Sequence, residues 1–216
     1  MRRRIVILLM VVASIFSMTA AAFGAEGTGG ISISASVTPI GGIAGDEDFW
    51  ADEPDYSDAF SVGWTGRVEP YFDFTPLIRG QFGVAYSSFG GSSYTDSRQG
   101  TVKFDDLSML SYYVGVKFRF MPNSTVRPYA LANVGGAYIY SVDARRNNVT
   151  IPYFESTTTL FGDAGGGIEF KAGANLSFFI EGRVQVTGAP DAASNLAQDA
   201  SAIVTFPVSA GINIGF

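Results

Sequence analysis

The sequence predicts an all-β chain: eight antiparallel strands, connected up-and-down, closing into a transmembrane barrel. Three observations carry this prediction. Apolar and polar residues alternate with a period of two in eight segments, as in strands with one apolar and one polar face. Long and short connections alternate between those segments. The last segment, Phe206 to Phe216, reads FPVSAGINIGF, with Phe206, Val208, Ala210, Ile212, Ile214 and Phe216 apolar and Ser209, Gly211, Asn213 and Gly215 polar or small. In water such an apolar strand edge invites aggregation; against lipid it is at home.

The N-terminus is read separately. Arg2, Arg3 and Arg4 precede the apolar run Ile5 to Phe16, and Ala20-Ala21-Ala22 follows. A basic start, a short apolar centre and an Ala-x-Ala end make a secretory signal peptide. The run is short for a membrane anchor, which needs about 20 residues. Residues 1–22 are therefore expected to be a cleaved signal peptide and residues 23–216 the barrel domain. Removing the three arginines from 14 basic residues leaves 11 against 20 acidic ones, a net charge of −9. That excludes a nucleic-acid partner, whose phosphates need a basic surface. The chain has no cysteine, so neither a disulfide nor a lipidated cysteine is available.

Each strand follows in order. Ile31, Ile33, Ala35 and Val37 alternate with Ser32, Ser34 and Ser36 in the first, which Gly41-Gly42 ends. The loop Gly41 to Asp58 is rich in acid. The second strand, Ala59 to Tyr71, places Phe60, Val62, Trp64, Gly66 and Val68 opposite Thr65, Arg67 and Glu69; a turn, Phe72 to Pro76, follows. The third, Leu77 to Ser88, sets Ile78, Phe82, Val84 and Tyr86 against Arg79 and Gln81. After the polar loop Phe89 to Asp105, the fourth, Asp106 to Met121, sets Tyr112, Val114, Val116, Phe118 and Phe120 against Ser111, Lys117 and Arg119. Pro122-Asn123-Ser124 turns into the fifth, Thr125 to Tyr140, where Arg127 and Asn133 share the polar face with Leu131 and Ile139. The loop Ser141 to Ser156 precedes the sixth, Thr157 to Lys171, with Leu160, Ala164, Ile168 and Phe170 against Asp163, Glu169 and Lys171. The turn Ala172 to Asn175 leads to the seventh, Leu176 to Thr187, with Phe178, Ile180, Val184 and Val186 against Glu181, Arg183 and Gln185. The loop Gly188 to Ala200 leads to the eighth, Ser201 to Phe216.

A soluble sandwich also has regular strands, but these run about 10 to 16 residues, against about 5 to 6 in soluble sheets and the 9 to 11 of a tilted membrane strand. Aromatics also sort by height. Phe72, Phe118, Phe120, Phe170, Phe178 and Phe216 fall near the short turns; Phe60, Tyr86, Tyr112, Tyr138, Tyr140 and Phe206 fall near the long loops. Two aromatic girdles are what lipid interfaces select. Pro207 cannot donate to the ladder, so a bulge is expected there, or a spanning part confined to Val208 through Phe216.

This pattern resembles the small eight-stranded outer membrane protein beta-barrel domains, the OmpA-like, OmpX-like and OmpW-like group. The final strand resembles their assembly signal, with Ser209, Gly211, Ile214 and Phe216 in the polar, Gly, apolar and aromatic positions. The resemblance implies a bacterial outer-membrane protein with long extracellular loops and short periplasmic turns. It also implies outer-membrane lipid and lipopolysaccharide around the wall, and the barrel-assembly machinery as a partner. A surface ligand is open.

Eight strands leave a lumen that side chains fill. Its expected charge cluster is Arg67, Glu69, Arg79, Lys117, Arg119, Arg127, Asp163, Glu169, Lys171, Glu181 and Arg183. Register predicts Glu69 opposite Arg79, Asp163 opposite Arg183, and Arg119 facing Arg127 with Glu169 near. Such a cluster is a static plug or, alternatively, a gated conduit for small solutes. The acidic first loop fits no EF-hand spacing, and no metal or cofactor is expected. Gly162, Gly165, Gly166 and Gly167 lack the following Lys-Ser/Thr of a phosphate loop and are read as allowing tight curvature. Outer-membrane lipases, deacylases and omptin-type proteases resemble this architecture but depend on histidine, which the chain lacks; it is not read as an enzyme. The expected role is structural or surface-interacting, adhesin- or receptor-like, through four mobile loops carrying Trp50, Tyr56, Tyr94 and Tyr153.

Overall fold

A computed structural model describes residues 29–44, 50–52, 54–194 and 200–216. The expected signal peptide, residues 1–22, lies outside the described residues, as do Asp46, Glu47, Asp48 and Glu53 of the acidic loop.

Eight strands form the wall: β1 (Gly29–Thr38), β3 (Gly63–Asp73), β4 (Ile78–Phe89), β7 (Leu107–Arg119), β8 (Val126–Ile139), β11 (Thr157–Lys171), β12 (Leu176–Thr187) and β14 (Val208–Gly215). Each pairs antiparallel with the next, and β14 pairs with β1, so the barrel closes and no edge meets lipid. The closing seam is Ser-rich: Ser36 faces Ser209, Ser34 faces Gly211 and Ser32 faces Asn213. The period-two pattern decides which face is wet. Val134 (62%), Leu160 (79%), Ile180 (59%) and Val208 (61%) are exposed on the lipid side, while the alternate residues are buried in the lumen. Phe118, Phe120, Phe170, Phe178 and Phe216 are exposed near the short turns.

Pro207 makes no bulge. Short strands β2 (Ile40–Gly41) and β13 (Ile203–Thr205) continue β1 and β14 beyond Pro39 and Pro207. Thr205 faces Gln185 and Val208 faces Gly182, so the register is the same on both sides of the break. The Pro207 carbonyl accepts the Arg183 N–H (3.0 Å), and the Pro39 carbonyl accepts the Phe206 N–H (3.0 Å). Only the donors that proline lacks are lost, and the strand runs straight through.

The outer loops depart most from expectation. The sequence predicts mobile, polar loops, whereas the described residues of the first three carry folded elements. Helix α1 (Tyr56–Ala59) lies in the first loop, β5 (Ser93–Asp96) and β6 (Gly100–Phe104) in the second, and β9 (Val142–Arg146) and β10 (Val149–Phe154) in the third. The order β10-β9-β6-β5 makes a second sheet. Trp50, Tyr56, Phe60, Phe104, Tyr153 and Phe154 bury themselves in one core beneath it. Trp50, Tyr56 and Tyr153, expected as surface contacts, are 0% exposed, and Phe60, expected in the outer girdle, is 1% exposed. Burial pushes the Tyr56 and Tyr153 hydroxyls well above the usual tyrosine range; they donate to the carbonyls of Ser201 (3.1 Å) and Ala44.

That core extends into the barrel mouth. Phe89, Leu107, Met109, Ile139, Ile40 and Ile203 belong to it. All six sit on the lumen-facing parity of their strands. The outer end of the lumen is therefore apolar and closed by loop aromatics. Asp96 ties the first loop to the second: its carboxylate accepts the backbone N–H groups of Ala51 (2.8 Å), Asp52 (3.3 Å), Arg98 (2.7 Å) and Gln99 (2.8 Å).

Candidate functional site in the lumen

Below the apolar mouth the lumen is polar, because the residues there alternate with lipid-facing ones. Arg183 on β12 is its centre. Its guanidinium contacts three carboxylates from three strands: Nε to Glu181 Oε1 (2.5 Å), Nη1 to Asp163 Oδ2 (3.3 Å) and Nη2 to Glu69 Oε1 (2.9 Å). These side chains are at most 2% exposed. Neutral donors complete the carboxylates: Tyr113 Oη to Glu69 (2.9 Å), Tyr129 Oη to Glu181 (3.0 Å) and Asn133 Nδ2 to Asp163 (2.6 Å). Lys117 Nζ is 4.0 Å from Glu181 and 4.2 Å from the Tyr129 ring centroid. Arg67 instead donates to Ser209 Oγ (2.9 Å) at the serine seam. A buried charge is costly unless paired and hydrogen-bonded; the Arg183 network meets that condition across the barrel, whereas Arg67 makes no ion pair among the described residues and leaves Nε and Nη2 without a partner.

Glycine makes the room. A Cβ on Gly83 would lie 2.2 Å from the Tyr113 ring, and one on Gly165 would lie 2.2 Å from the Gly182 carbonyl and 2.9 Å from Arg183 Cα. A Cβ on Gly211 would lie 2.4 Å from the Phe179 ring.

Toward the short turns a second group gathers. Arg79 binds Asp73 in a bidentate pair (2.7 and 3.1 Å), and Arg119 Nη2 lies 2.7 Å from the same carboxylate. Arg127 Nη1 is 3.5 Å from Glu169, which also accepts Ser177 Oγ (2.8 Å). Lys171 is exposed at the rim.

All three expected register pairings are corrected. Arg79 faces Asp73, not Glu69, because β3 continues through Asp73 before the chain turns. Arg119 faces Tyr129, not Arg127. Asp163 faces Gln185 in register, yet the long Arg183 side chain still reaches it from the diagonal position. Asp73, Tyr113, Tyr129 and Asn133 are members that sequence reasoning left out of the cluster. Asp73 continues the parity of Arg67 and Glu69, a signal hidden by its assignment to a turn. Ser209 and Gly211 face the lumen, while Ile214 and Phe216 are exposed on the outer face.

No curated protein matches the chain. Among solved structures it is similar to the Neisserial surface protein A, with 13% identity and a TM-score of 0.54 over 88% of this chain and 100% of that one. It is also similar to Ail, the attachment invasion locus protein of Yersinia pestis, with 18% identity and a TM-score of 0.48 over 88% and 100%. A third is OprG from Pseudomonas aeruginosa, with 11% identity and a TM-score of 0.48 over 88% and 95%. At 13% identity the likeness to the Neisserial protein is one of fold. The family assignment rests on the sequence: residues 8–186 match the outer membrane protein beta-barrel domain, and the chain belongs to that family of integral outer-membrane barrels.

Proposed function

We propose that this protein is a closed surface barrel that works through its folded outer cap, in a structural or adhesive role, without enzymatic activity. The observation that supports this reading is the double closure of the lumen. Loop aromatics fill the outer mouth, and the Arg183 network bridges the wall below. The cap presents a sheet whose outward face carries exposed Lys103 and Arg145, directly opposed across β6 and β9. Like charges so placed repel, and an acidic surface partner would relieve them. Residues 1–22 would be removed on export, and lipopolysaccharide would surround the wall.

The alternative is a narrow solute conduit opened by rearranged ion pairs. Planar-bilayer recording of the refolded protein separates the two: the closed reading expects no reproducible steps. Steady conductance that disappears on Glu69→Gln substitution would establish the conduit instead. For the adhesive role, cells displaying the protein are compared with cells displaying Lys103→Glu/Arg145→Glu; equal attachment by both removes this face as the contact.

A further inference from the structure

The lumen charges divide into two groups of unequal balance. The central group sets Arg67, Lys117 and Arg183 against Glu69, Asp163 and Glu181, three cations to three carboxylates. The group at the periplasmic end lines an open cavity of about 690 Å³ and sets Arg79, Arg119, Arg127 and Lys171 against Asp73 and Glu169. Among the described residues, the side-chain surplus of the lumen, two positive charges, therefore collects in this vestibule.

Its pairing shows the same surplus. One carboxylate, Asp73, serves both Arg79 and Arg119 at 2.7 Å, and both arginines are 4% exposed. Arg79 Nη1 and Arg119 Nε have no hydrogen-bond partner among the described residues, as is also true of Arg67 Nε and Nη2 in the central group and of Glu169 Oε2 here; the Arg79 guanidinium stacks on the Tyr71 ring at 3.4 Å. Arg127 holds Glu169 at the long distance of 3.5 Å, and Lys171 makes no ion pair among the described residues. Tyr71, Phe72 and Phe74 line the same space and lower the local dielectric, which strengthens every charge there. Uncompensated buried charge is costly. Guanidinium forks match oxyanions in planar, bidentate geometry, whereas a spherical halide uses them poorly.

We propose that this vestibule is a binding site for a small multivalent oxyanion, a phosphate-bearing group, entering from the periplasmic side. Asp73 holds the two deep guanidinium groups in place, and Arg127 and Lys171 at the mouth close on the anion. The site stands whether or not the lumen above it conducts.

The test is calorimetric titration of the full chain, refolded in phospholipid-free detergent, with inorganic pyrophosphate in a chloride buffer. Folding of each variant is checked by heat-dependent gel mobility. Saturable one-to-one binding is expected, weakened about tenfold or more in Arg127→Gln/Lys171→Gln, the loss of two charge-assisted contacts. The outer-cap variant Lys103→Gln/Arg145→Gln should bind as the parent does. Absence of saturable binding, or equal affinity in Arg127→Gln/Lys171→Gln, overturns the proposal. Repeating the titration in nanodiscs with and without anionic phospholipid identifies the source. Competition by the anionic lipid assigns the site to headgroups, and unchanged affinity assigns it to a free solute.

Discussion

Replacing Arg183 by Met tests the plug most directly. The substitution keeps an unbranched side chain of similar reach and removes one cation with three donors. The three contacts, at 2.5, 3.3 and 2.9 Å, are charge-assisted, and such bonds contribute about 1.5–3 kcal/mol each. Their gross sum, about 5–9 kcal/mol, overstates the loss, because Tyr113, Tyr129 and Asn133 still donate to the stranded carboxylates and Lys117 remains 4.0 Å from Glu181. The net expectation is that of breaking one buried ion pair, about 3–5 kcal/mol. Urea titration of the protein refolded into lipid vesicles measures it. The two tryptophans give separate signals: Trp64 is 55% exposed on the lipid face and reports the wall, while Trp50 is 0% exposed in the cap. The Trp64 transition should move to lower urea. Adding Glu69→Gln and Glu181→Gln to Arg183→Met should restore about half of the loss, since the unpaired charges, rather than the missing packing, carry most of it. A loss below about 1 kcal/mol in Arg183→Met, the size of an exposed surface pair, would refute the claim that this network braces the barrel.

The cap yields two further predictions. Phe104→Ala removes a ring that lies 5.8 Å from Phe60 and 4.9 Å from Tyr153 between centroids; a loss of about 3–5 kcal/mol is expected, read as an earlier Trp50 transition with the Trp64 transition unmoved, and a common shift of both would show that cap and wall unfold as one unit. Asp96 supplies the pH dependence: burial raises its pKa, but the backbone N–H groups of Gln99, Ala51, Arg98 and Asp52 outweigh it and hold the carboxyl below the usual range. A depressed carboxyl contributes its stability above the unfolded value, near pH 4, and loses it as pH falls through the lower folded value. Trp50 emission should therefore red-shift as the pH drops below about 4, and Asp96→Asn should show the loosened cap at neutral pH with no such step.

The wall was legible in the sequence because lipid imposes a strict rule on one face and the pleat has a period of two. An error of an even number of residues in a hairpin leaves every side chain on its correct face. That is why the charges were placed in the lumen while all three of their expected registers failed. Setting the first periplasmic turn at Phe72 to Pro76 rather than after Asp73 slid Arg79 from Asp73 to Glu69 without moving either across the sheet. A slip of two residues likewise put Arg119 opposite Arg127 in place of Tyr129. Contacts across the barrel are a different matter. Glu69 on β3 meets Arg183 on β12, strands that share no ladder, and strand order and register alone do not encode which side chains meet in the middle. The cap was hidden for a third reason. Leu107, Met109, Ile139 and Ile203 break the polar parity at the outer end of their strands, where they read as imperfections of the pattern. Apolar residues on the lumen side have no lipid to meet: deeper ones such as Leu131, Phe161 and Phe179 pack on other lumen side chains, while those at the open mouth need cover from the loops. The aromatic residues of the loops, Trp50, Tyr56, Phe104 and Tyr153, are that cover. Exceptions to parity and aromatics in long loops thus belong to one signal, and in a small barrel their coincidence at one end marks a mouth that is closed by its own loops.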